Sequence, residues 1–294
     1  MTNGAVGRLY VVATPIGNLG DLSPRARTVL SECALVAAED TRHTGVLLKH
    51  FGIQTPQLSL HDHNEQHRAS DIIERLRQGA SVALVSDAGT PAISDPGFEL
   101  VRAVAAAGFE IIAVPGPCAA IAALSIGALP TDRFCFEGFL PARGAARRKR
   151  LQSLAGEART VVLYEAPHRA RETLEDCAAV FGAERSATVV REITKLHETT
   201  YRGSLRDLLG RAASDPDFTR GEIVLLIAGA PQTLAGEDRG ADGHGGALDR
   251  ALKILLAELP LKQAARLAAQ ITEARDNEAY KRALHLKQES ASHS

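Results

Sequence analysis

The chain has 294 residues, of which 45% are hydrophobic, so it can form two domains of ordinary size with substantial cores. Its net charge of −1 at pH 7 gives no overall preference for nucleic acid. No apolar run is long enough to cross a membrane, and the N-terminus lacks the pattern of a secretory signal. The four cysteines have no paired spacing, which favours neither zinc nor disulfides. We expect a cytoplasmic protein without a bound metal.

The first part of the chain alternates apolar strands with helices. Strands are predicted at residues 8–14, 34–40, 81–87 and 109–115. One helix is predicted to follow Ser23 as its N-cap, with Pro24 at the first helical position. Another is predicted to begin at Asp95–Pro96 and to end at Gly108. Such alternation predicts a largely parallel sheet that is covered on both faces.

The second part contains neighbouring strands with short connections. Strands are predicted at residues 133–141, 160–166, 187–194, 199–205 and 221–229, and helices at 145–154, 168–181 and 204–213. This pattern predicts a mixed sheet in a second α/β domain, with the boundary near residues 115–117. We therefore predict an N-terminal α/β domain over residues 1–116 and a C-terminal α/β domain over residues 117–232.

The last part of the chain has a different composition. Residues 233–247 are rich in Gly, Ala and Asp and lack apolar periodicity, which predicts a flexible linker. Helices are predicted near 248–258, 261–270 and 276–287, and they would form a small helical module over residues 248–288. The predicted fold class is therefore α/β, with two α/β domains and a small C-terminal helical appendage.

Three loops that follow predicted strands combine Gly and Pro with small polar residues. They are residues 13–24, 86–97 and 114–124. In a parallel sheet, ligands bind outside the carboxyl ends of the strands, and glycine lets the backbone approach them closely. None of the loops has the glycine pattern of a dinucleotide site or of a phosphate loop. They predict a different ligand site, with plain turns at the sheet edge as the alternative.

Six segments together resemble one known family. They are LYVVATPIGNLGDLSPRA, AAEDTRHT, LHDHNE, LVSDAGTPAISDPG, VPGPCAAIAAL and LYEAPHR. The family is that of the S-adenosylmethionine-dependent methyltransferases with the tetrapyrrole-methylase fold, and the resemblance covers residues 8–230 and extends to 248–287. It implies two α/β domains with the cofactor between them, usually in a homodimer.

Within that family, the chain resembles the members that methylate a cytidine ribose 2′-hydroxyl in the decoding region of bacterial 16S ribosomal RNA. The implied partner is 16S ribosomal RNA or the small ribosomal subunit, and the implied cofactor is S-adenosyl-L-methionine. By motif position, the resemblance implies cofactor contacts from three groups of residues. These are Pro15 and Gly17 after the first strand; Asp87, Ala88, Gly89, Thr90, Pro91, Pro115, Gly116, Cys118 and Ala119 in the other two loops; and Leu163, Tyr164, Ala228 and Gly229 in the second domain.

Methyl transfer from a sulfonium needs alignment more than acid–base chemistry, but a ribose hydroxyl is a weak nucleophile that a base would assist. The catalytic candidates are Glu39, Asp40, Arg42 and Glu165. Each lies in a segment where acidic and basic residues crowd together at a strand end. The alternative for Glu39 and Asp40 is a pair that caps the following turn.

Residues 142–150 carry five positive charges and no acid, between the two predicted domains. We expect phosphate contacts there, although a solvated helix face is the usual explanation of such a run. The expected RNA-binding residues are Arg143, Arg147, Arg148, Lys149, Arg150, Arg169, Arg191 and Lys195. Because only 4% of residues are aromatic and none is Trp, we expect recognition of backbone and shape rather than extensive base stacking.

Two other functions stay open at this point. One is a methyltransferase of the same fold that acts on a tetrapyrrole or a protein side chain, since fold does not fix substrate. The other is a non-catalytic RNA-binding assembly factor that keeps a nucleoside pocket. The basic stretch and the helical module favour RNA over a tetrapyrrole, and failure to bind S-adenosylmethionine would favour the assembly factor.

Overall fold

The computed structural model describes residues 6–61, 64–231, 245–272 and 274–291. The chain divides into two compact units, Met1–Ala230 and Pro231–Ser294. The first unit contains both predicted α/β regions, and their division at residue 116 stays a prediction. The predicted linker falls mostly outside the described residues, at 233–244.

The first sheet is entirely parallel, as the sequence predicts. Its strands are β1 (Leu9–Val12), β2 (Leu35–Ala38), β3 (Gln57–Ser59), β4 (Val82–Val85) and β5 (Ile111–Val114). They lie in the order β3-β2-β4-β1-β5, and every pair of neighbours is parallel. Strands β2 and β4 are fully buried, because both faces of the sheet are covered. The short strand β3 was not among the sequence predictions.

Helices cover both faces of the first sheet. They are α1 (Pro24–Glu32), α2 (Thr41–His50), α3 (Glu65–Arg77) and α4 (Phe98–Ala106). One face packs Leu30 and Leu48 against Val36, and the other packs Ile72 and Leu100 against the sheet. The burial of these apolar side chains is the main stabilising contribution to this part of the molecule.

Two predicted helix starts have different outcomes. Helix α1 begins as predicted, because the Ser23 hydroxyl accepts a hydrogen bond from the Ala26 N–H and Pro24 occupies the first position. The start predicted at Asp95 is wrong, since α4 begins only at Phe98. Ser94 and Gly97 have positive φ angles of 65° and 128°, which a right-handed helix does not contain.

The second sheet is mixed, also as predicted. Its strands are β6 (Phe134–Phe139), β7 (Thr160–Glu165), β8 (Ser186–Arg191), β9 (Thr199–Ser204) and β10 (Ile223–Ile227). The order is β6-β7-β10-β8-β9, in which β6 and β7 are parallel and the other neighbours are antiparallel. Strand β10 is therefore central and is buried along its whole length.

The two faces of the second sheet have different partners. Helices α6 (Gly144–Ser153), α7 (Ala170–Phe181) and α8 (Leu205–Ser214) pack on one face. Helix α5 (Ala119–Ile126) packs on the other face, where Ile16 from the loop after β1 joins the same apolar cluster. The sequence analysis assigned residues 114–124 to a loop. Helix α5 is apolar on nearly all sides, including the exposed Ile121, so it lacks the alternation that marks a surface helix.

The second unit is a bundle of three helices with its own core. These helices are α9 (Gly245–Glu258), α10 (Leu261–Thr272) and α11 (Asp276–Ala291). Leu248 and Leu252 pack against small residues of the other two helices, such as Ala268 and Ala279. Within the described parts of the chain, no helix combines the length and apolar character needed to span a membrane.

Candidate functional site

Three neighbouring strands bring the three unusual loops together. Strands β4, β1 and β5 are adjacent and parallel, so the loops after them start at the same edge of the sheet. The Thr14 N–H donates to the Gly89 carbonyl at 2.9 Å, and the Gly89 N–H donates to the Thr14 carbonyl at 3.1 Å. The Thr90 hydroxyl donates to the Pro117 carbonyl at 3.1 Å. The three loops therefore form one hydrogen-bonded surface.

Glycine is required where these loops approach one another. Gly89 has φ of 84°, a conformation that side chains with a Cβ rarely adopt. A Cβ on Gly116 would lie 3.0 Å from the Ala13 Cβ. A Cβ on Gly17 would lie only 2.4 Å from the Lys195 Cγ, so the loop after β1 also contacts the segment after β8. Pro15 is partly exposed and Pro115 is well exposed on the same edge, next to these glycines.

The loop after β4 is held in an uncommon conformation. Ala92 and Ser94 have φ angles of 68° and 65°, each of which costs about 1–3 kcal/mol for a residue with a Cβ. Contacts around the loop hold it there. Ser94 lies against Gly138 of the second sheet, where a Cβ would be 2.8 Å from the Ser94 Oγ. The loop that carries Asp87, Ala88 and Pro91 thus reaches strand β6.

Carboxyl groups gather at the carboxyl ends of β2 and β4. The Asp40 N–H donates to Asp87 Oδ1 at 3.0 Å, and the Asp87 N–H donates to Glu39 Oε2 at 3.3 Å. The charges of Glu39 and Asp87 lie close enough to affect the ionisation of Asp95. Burial and these two negative neighbours raise the pKa of Asp95 to about 6, against the opposing hydrogen bond of Ser86. This edge is therefore suited to a positively charged ligand, and sequence analysis did not identify Asp95.

Asp40 and Arg42 form a local pair at the start of α2. The Asp40 carboxylate caps the helix by accepting a hydrogen bond from the Arg42 N–H at 2.8 Å. It also binds the Arg42 guanidinium at 2.6 Å, which lowers the pKa of Asp40 below its usual range. These contacts favour the capping alternative for Asp40, whereas Glu39 points toward the loop after β4.

Glu165 and Arg169 form an internal network. The Glu165 side chain is 3% exposed and accepts hydrogen bonds from the Thr173 hydroxyl at 2.5 Å and from the Ala166 N–H at 2.8 Å. Arg169 lies 3.1 Å from the same carboxylate and donates to the Leu140 carbonyl at 2.7 Å. Because their side chains are occupied by these contacts, Glu165 cannot act as a base and Arg169 cannot bind an RNA phosphate. This corrects the predicted roles of both residues.

Tyr164 connects the second sheet to helix α5. Its hydroxyl accepts a hydrogen bond from the Ala120 N–H at 3.1 Å and lies beside Cys118. Burial, followed by the nearby Cys118, raises the pKa of Tyr164 above its usual range, so the phenol stays neutral at physiological pH. Phe136 and Phe139 pack edge-on against the Tyr164 ring. Tyr164, Cys118 and Ala119 therefore lie together beside the loop surface.

The other predicted cofactor residues of the second sheet are placed elsewhere. Leu163 is fully buried, and its side chain faces the core under α6, α7 and α8. In the antiparallel pairing of β7 with β10, Tyr164 is opposite Val224, while Ile227 is opposite Val161. Ala228 and Gly229 follow Ile227, so they lie at the far end of the sheet from Tyr164. The direction of the Leu163 side chain and the register that places Ala228 and Gly229 correct the prediction that these three residues contact the cofactor.

Most of the predicted RNA-binding cations already have partners. Arg147 is 3% exposed and lies 2.7 Å from Asp176, and Arg191 is 7% exposed and donates to the His197 carbonyl at 3.0 Å. Both are internal residues, which corrects their assignment to an RNA surface. Arg150 binds Glu137 at 2.5 Å, and Lys195 binds Glu192 at 3.0 Å. The exposed cations of the basic stretch are Arg143, Arg148, Lys149 and Arg150.

The parts of the chain that the structure describes contain no group of three or more His, Cys, Asp or Glu side chains arranged to hold a metal ion.

Sequence comparison identifies the class of enzyme to which this fold and this loop surface belong. Residues 8–209 match the family described as Tetrapyrrole (Corrin/Porphyrin) Methylases. Two solved structures share the fold. Cobalt precorrin-4 methyltransferase superposes with a TM-score of 0.59 at 18% identity, covering 78% of this chain and 97% of its own. Uroporphyrin-III-C-methyltransferase from Thermus thermophilus superposes with a TM-score of 0.52 at 21% identity, covering 76% and 94%. The chain belongs to the tetrapyrrole methylase family and is a methyltransferase.

Curated relatives define its place within that family. Ribosomal RNA small subunit methyltransferase I from Pseudomonas aeruginosa is 54% identical over 280 residues, which cover 95% of this chain and 98% of that protein. The proteins of the same name from Escherichia coli O157:H7 and Synechocystis sp. are 50% and 48% identical, with at least 95% of both chains covered. Residues 242–287 match the family described as the RsmI C-terminal HTH domain. The chain belongs to the ribosomal RNA small subunit methyltransferase I family.

Proposed function

We propose that this protein transfers a methyl group from S-adenosyl-L-methionine to the ribose 2′-hydroxyl of a cytidine in the decoding region of 16S ribosomal RNA. The observation that carries the proposal is the identity of about half of all residues, over nearly the whole chain, with relatives named for methylation of small-subunit ribosomal RNA. The choice of the ribose, the cytidine and the decoding region rests on the motif resemblance.

The loop surface suits S-adenosylmethionine. This cofactor supplies a methyl group that its sulfonium has already activated. Gly89 and Gly116 allow backbone atoms to approach a ligand closely. The carboxyl groups of Glu39, Asp87 and Asp95 supply negative charge beside a ligand that carries a sulfonium and an ammonium. The hydrogen bonds between Thr14 and Gly89 fix two of the loops before any ligand arrives.

The reaction then needs alignment and a proton acceptor. A fixed loop surface holds the methyl group and the hydroxyl oxygen in line, which replaces a bimolecular encounter by a positioned one. Burial and its acidic neighbours raise the pKa of Asp95 to about 6, so its carboxyl group is mostly ionised at neutral pH and can accept the ribose proton. Glu39 and Asp87 adjust that pKa through their negative charges. We assign the base to Asp95 rather than to Glu165.

The basic surface and the C-terminal unit support RNA as the substrate. Arg143, Arg148 and Lys149 are exposed on or next to helix α6, where they can contact phosphates. Residues 242–287 match a helix-turn-helix domain, a motif that often contacts nucleic acid. The proposal includes a homodimer, which the motif resemblance implies, and a cytoplasmic location, where small ribosomal subunits are assembled.

The test is transfer of labelled methyl groups to small ribosomal subunits from cells that lack the modification. We expect label in 16S RNA with the wild-type protein, and none when the subunits already carry the modification. An Asp87→Ala variant should bind cofactor more weakly and transfer less label. Cofactor binding without label in RNA would contradict the proposal and would favour a tetrapyrrole or protein substrate. Absence of cofactor binding would instead favour an RNA-binding assembly factor.

A further inference from the structure

We propose that Phe139 is the surface on which the base of the acceptor nucleotide stacks during methyl transfer. The inference rests on the proposed function, because it assigns a substrate contact for that reaction. It concerns a residue that the sequence analysis did not select. It also departs from the expectation that base stacking plays little part in recognition.

A bulge in strand β6 turns Phe139 toward the loop surface. Phe136 pairs with Val162, but Gly138 pairs with Leu163, so Glu137 is an extra residue in β6. Gly138 has φ of 63°, which completes the bulge. Without the extra residue, side chains at positions 136 and 139 would point to opposite faces of the sheet. With it, both rings contact Tyr164, on the face that packs against α5 and Ile16.

The phenyl ring of Phe139 is both exposed and held in place. It is 57% exposed, although its centroid lies 5.6 Å from that of Tyr164 in an edge-on contact. Tyr164 is itself fixed by the Ala120 N–H and by Phe136. Large exposed aromatic rings that are rigidly supported are suited to stacking on nucleobases, because little side-chain entropy is lost on binding.

The neighbours of Phe139 indicate a nucleotide of the RNA. Ser94 contacts Gly138. Asp95 follows Ser94 in the chain and Phe139 follows Gly138, so both residues lie next to this contact. A nucleoside with its base on Phe139 can therefore direct its sugar toward the Asp95 carboxylate. Helix α6 begins at Gly144, five residues further along the chain, and adds the exposed cations Arg148 and Lys149 for the flanking phosphates.

The experiment compares Phe139→Ala, Phe139→Leu and Phe139→Trp with the wild-type protein. Methyl transfer to unmodified small subunits gives kcat and KM, and calorimetry gives the Kd for S-adenosylmethionine. We expect kcat/KM for the subunit to fall on the order of 10-fold or more in the Ala and Leu variants, and to stay within about threefold in the Trp variant. The cofactor Kd should change by less than about twofold in all three.

Phe134→Ala is the matched control. Phe134 is a partly exposed phenylalanine in the same strand, but it pairs with Thr160, four residues along β7 and about 13 Å from Tyr164, with which Phe139 pairs. This variant should keep wild-type kcat/KM, and thermal melting should show all four variants folded.

Three results would overturn the inference. Unchanged kcat/KM in Phe139→Ala would show that no base stacks there. A weaker cofactor Kd in the Ala variant would show that the ring contacts the adenine of the cofactor instead. Loss of activity in Phe139→Trp equal to that in Phe139→Ala would show that an aromatic face is not what the site needs. Failure of the proposed function is distinguishable, because the wild-type protein itself would then transfer no methyl group to RNA.

Discussion

Asp95 shows how one residue can affect both stability and catalysis. Its carboxyl group is partly buried near two other carboxylates, which raises its pKa to about 6. The folded protein therefore keeps a proton on Asp95 between about pH 4 and 6, where the unfolded chain has released it. Its contribution to stability accordingly falls as pH rises through this window, and the destabilisation is complete above the folded pKa.

Asp95→Asn should therefore stabilise the fold at high pH and impair the reaction. After allowance for partial exposure, we expect the free energy of unfolding at pH 8 to rise on the order of 1–2 kcal/mol, with no difference at pH 4. The kcat for methyl transfer should fall about 100-fold. Denaturant unfolding at pH 4, 6 and 8 measures the first effect. Asp132→Asn, at an exposed position, is the control, and equal stability of Asp95→Asn and wild type at pH 8 would refute this interpretation.

Arg147 and Lys149 are close in sequence but should respond differently to substitution. Removing the buried Arg147 side chain leaves Asp176 with only the half-exposed Arg148 as an ionic partner, so Arg147→Ala should lower the free energy of unfolding by about 3 kcal/mol. Lys149→Ala should change stability by less than about 0.5 kcal/mol, since the side chain is exposed. It should instead weaken binding to ribosomal subunits. Urea unfolding separates the two variants, and equal losses of stability would contradict the assignment.

At the scale of elements, the β6 bulge and the loop after β4 depend on each other. Ser94 has a left-handed backbone and fits against Gly138, which is also left-handed. The second sheet therefore helps to hold the loop that carries the carboxyl group of Asp95. Two residues with uncommon backbone conformations therefore meet at this contact between the loop and β6.

Gly138→Ala should cost more stability than Gly52→Ala. Both glycines have φ near 65°, and the conformation alone costs about 1–2 kcal/mol once a Cβ is present. A Cβ on Gly52 meets nothing within 4 Å, whereas one on Gly138 would lie 2.8 Å from the Ser94 Oγ. The double variant Gly138→Ala/Ser94→Ala should recover the smaller loss of Gly52→Ala. Thermal or urea unfolding measures the three losses, and an equal loss in both single variants would show that the Ser94 contact carries no cost.

The sequence predicted elements whose pattern depends on local features. Ser23 and Pro24 gave the start of α1 correctly, because a cap needs only neighbouring residues. Helix α4 was placed too early, because Gly97 has a φ of 128° where the backbone packs closely against Leu84, a residue distant in sequence. Glu165 and Arg147 were misassigned for the same reason, since their partners Thr173 and Asp176 lie on α7. Phe139 could not be selected, because its direction depends on the register between two strands.

At the scale of the whole molecule, two units with separate cores form one chain. The apolar clusters of the first unit end at Ile227, and the cluster of the second unit begins at Leu248. Because neither core needs residues of the other, we expect each unit to fold on its own account. The match of residues 242–287 to a separate domain family agrees with this division.

A protein truncated after residue 231 should keep its fold and its cofactor affinity. We expect its affinity for small ribosomal subunits to fall at least about 10-fold, because the helix-turn-helix unit no longer adds its contacts. Circular dichroism, calorimetry with S-adenosylmethionine and filter binding of subunits measure the three properties. Unchanged subunit binding would mean that the C-terminal unit has another partner.

The most direct test of the central claim is nucleoside mass spectrometry of 16S RNA after reaction with the wild-type protein. Unmodified small subunits are treated with S-adenosylmethionine, and the labelled nucleoside is identified and mapped by nuclease digestion. We expect one 2′-O-methylcytidine in the decoding region, formed about 100-fold more slowly by the Asp95→Asn variant under the same conditions. A methyl group on a base, or none in the RNA while the cofactor binds, would contradict the proposed function.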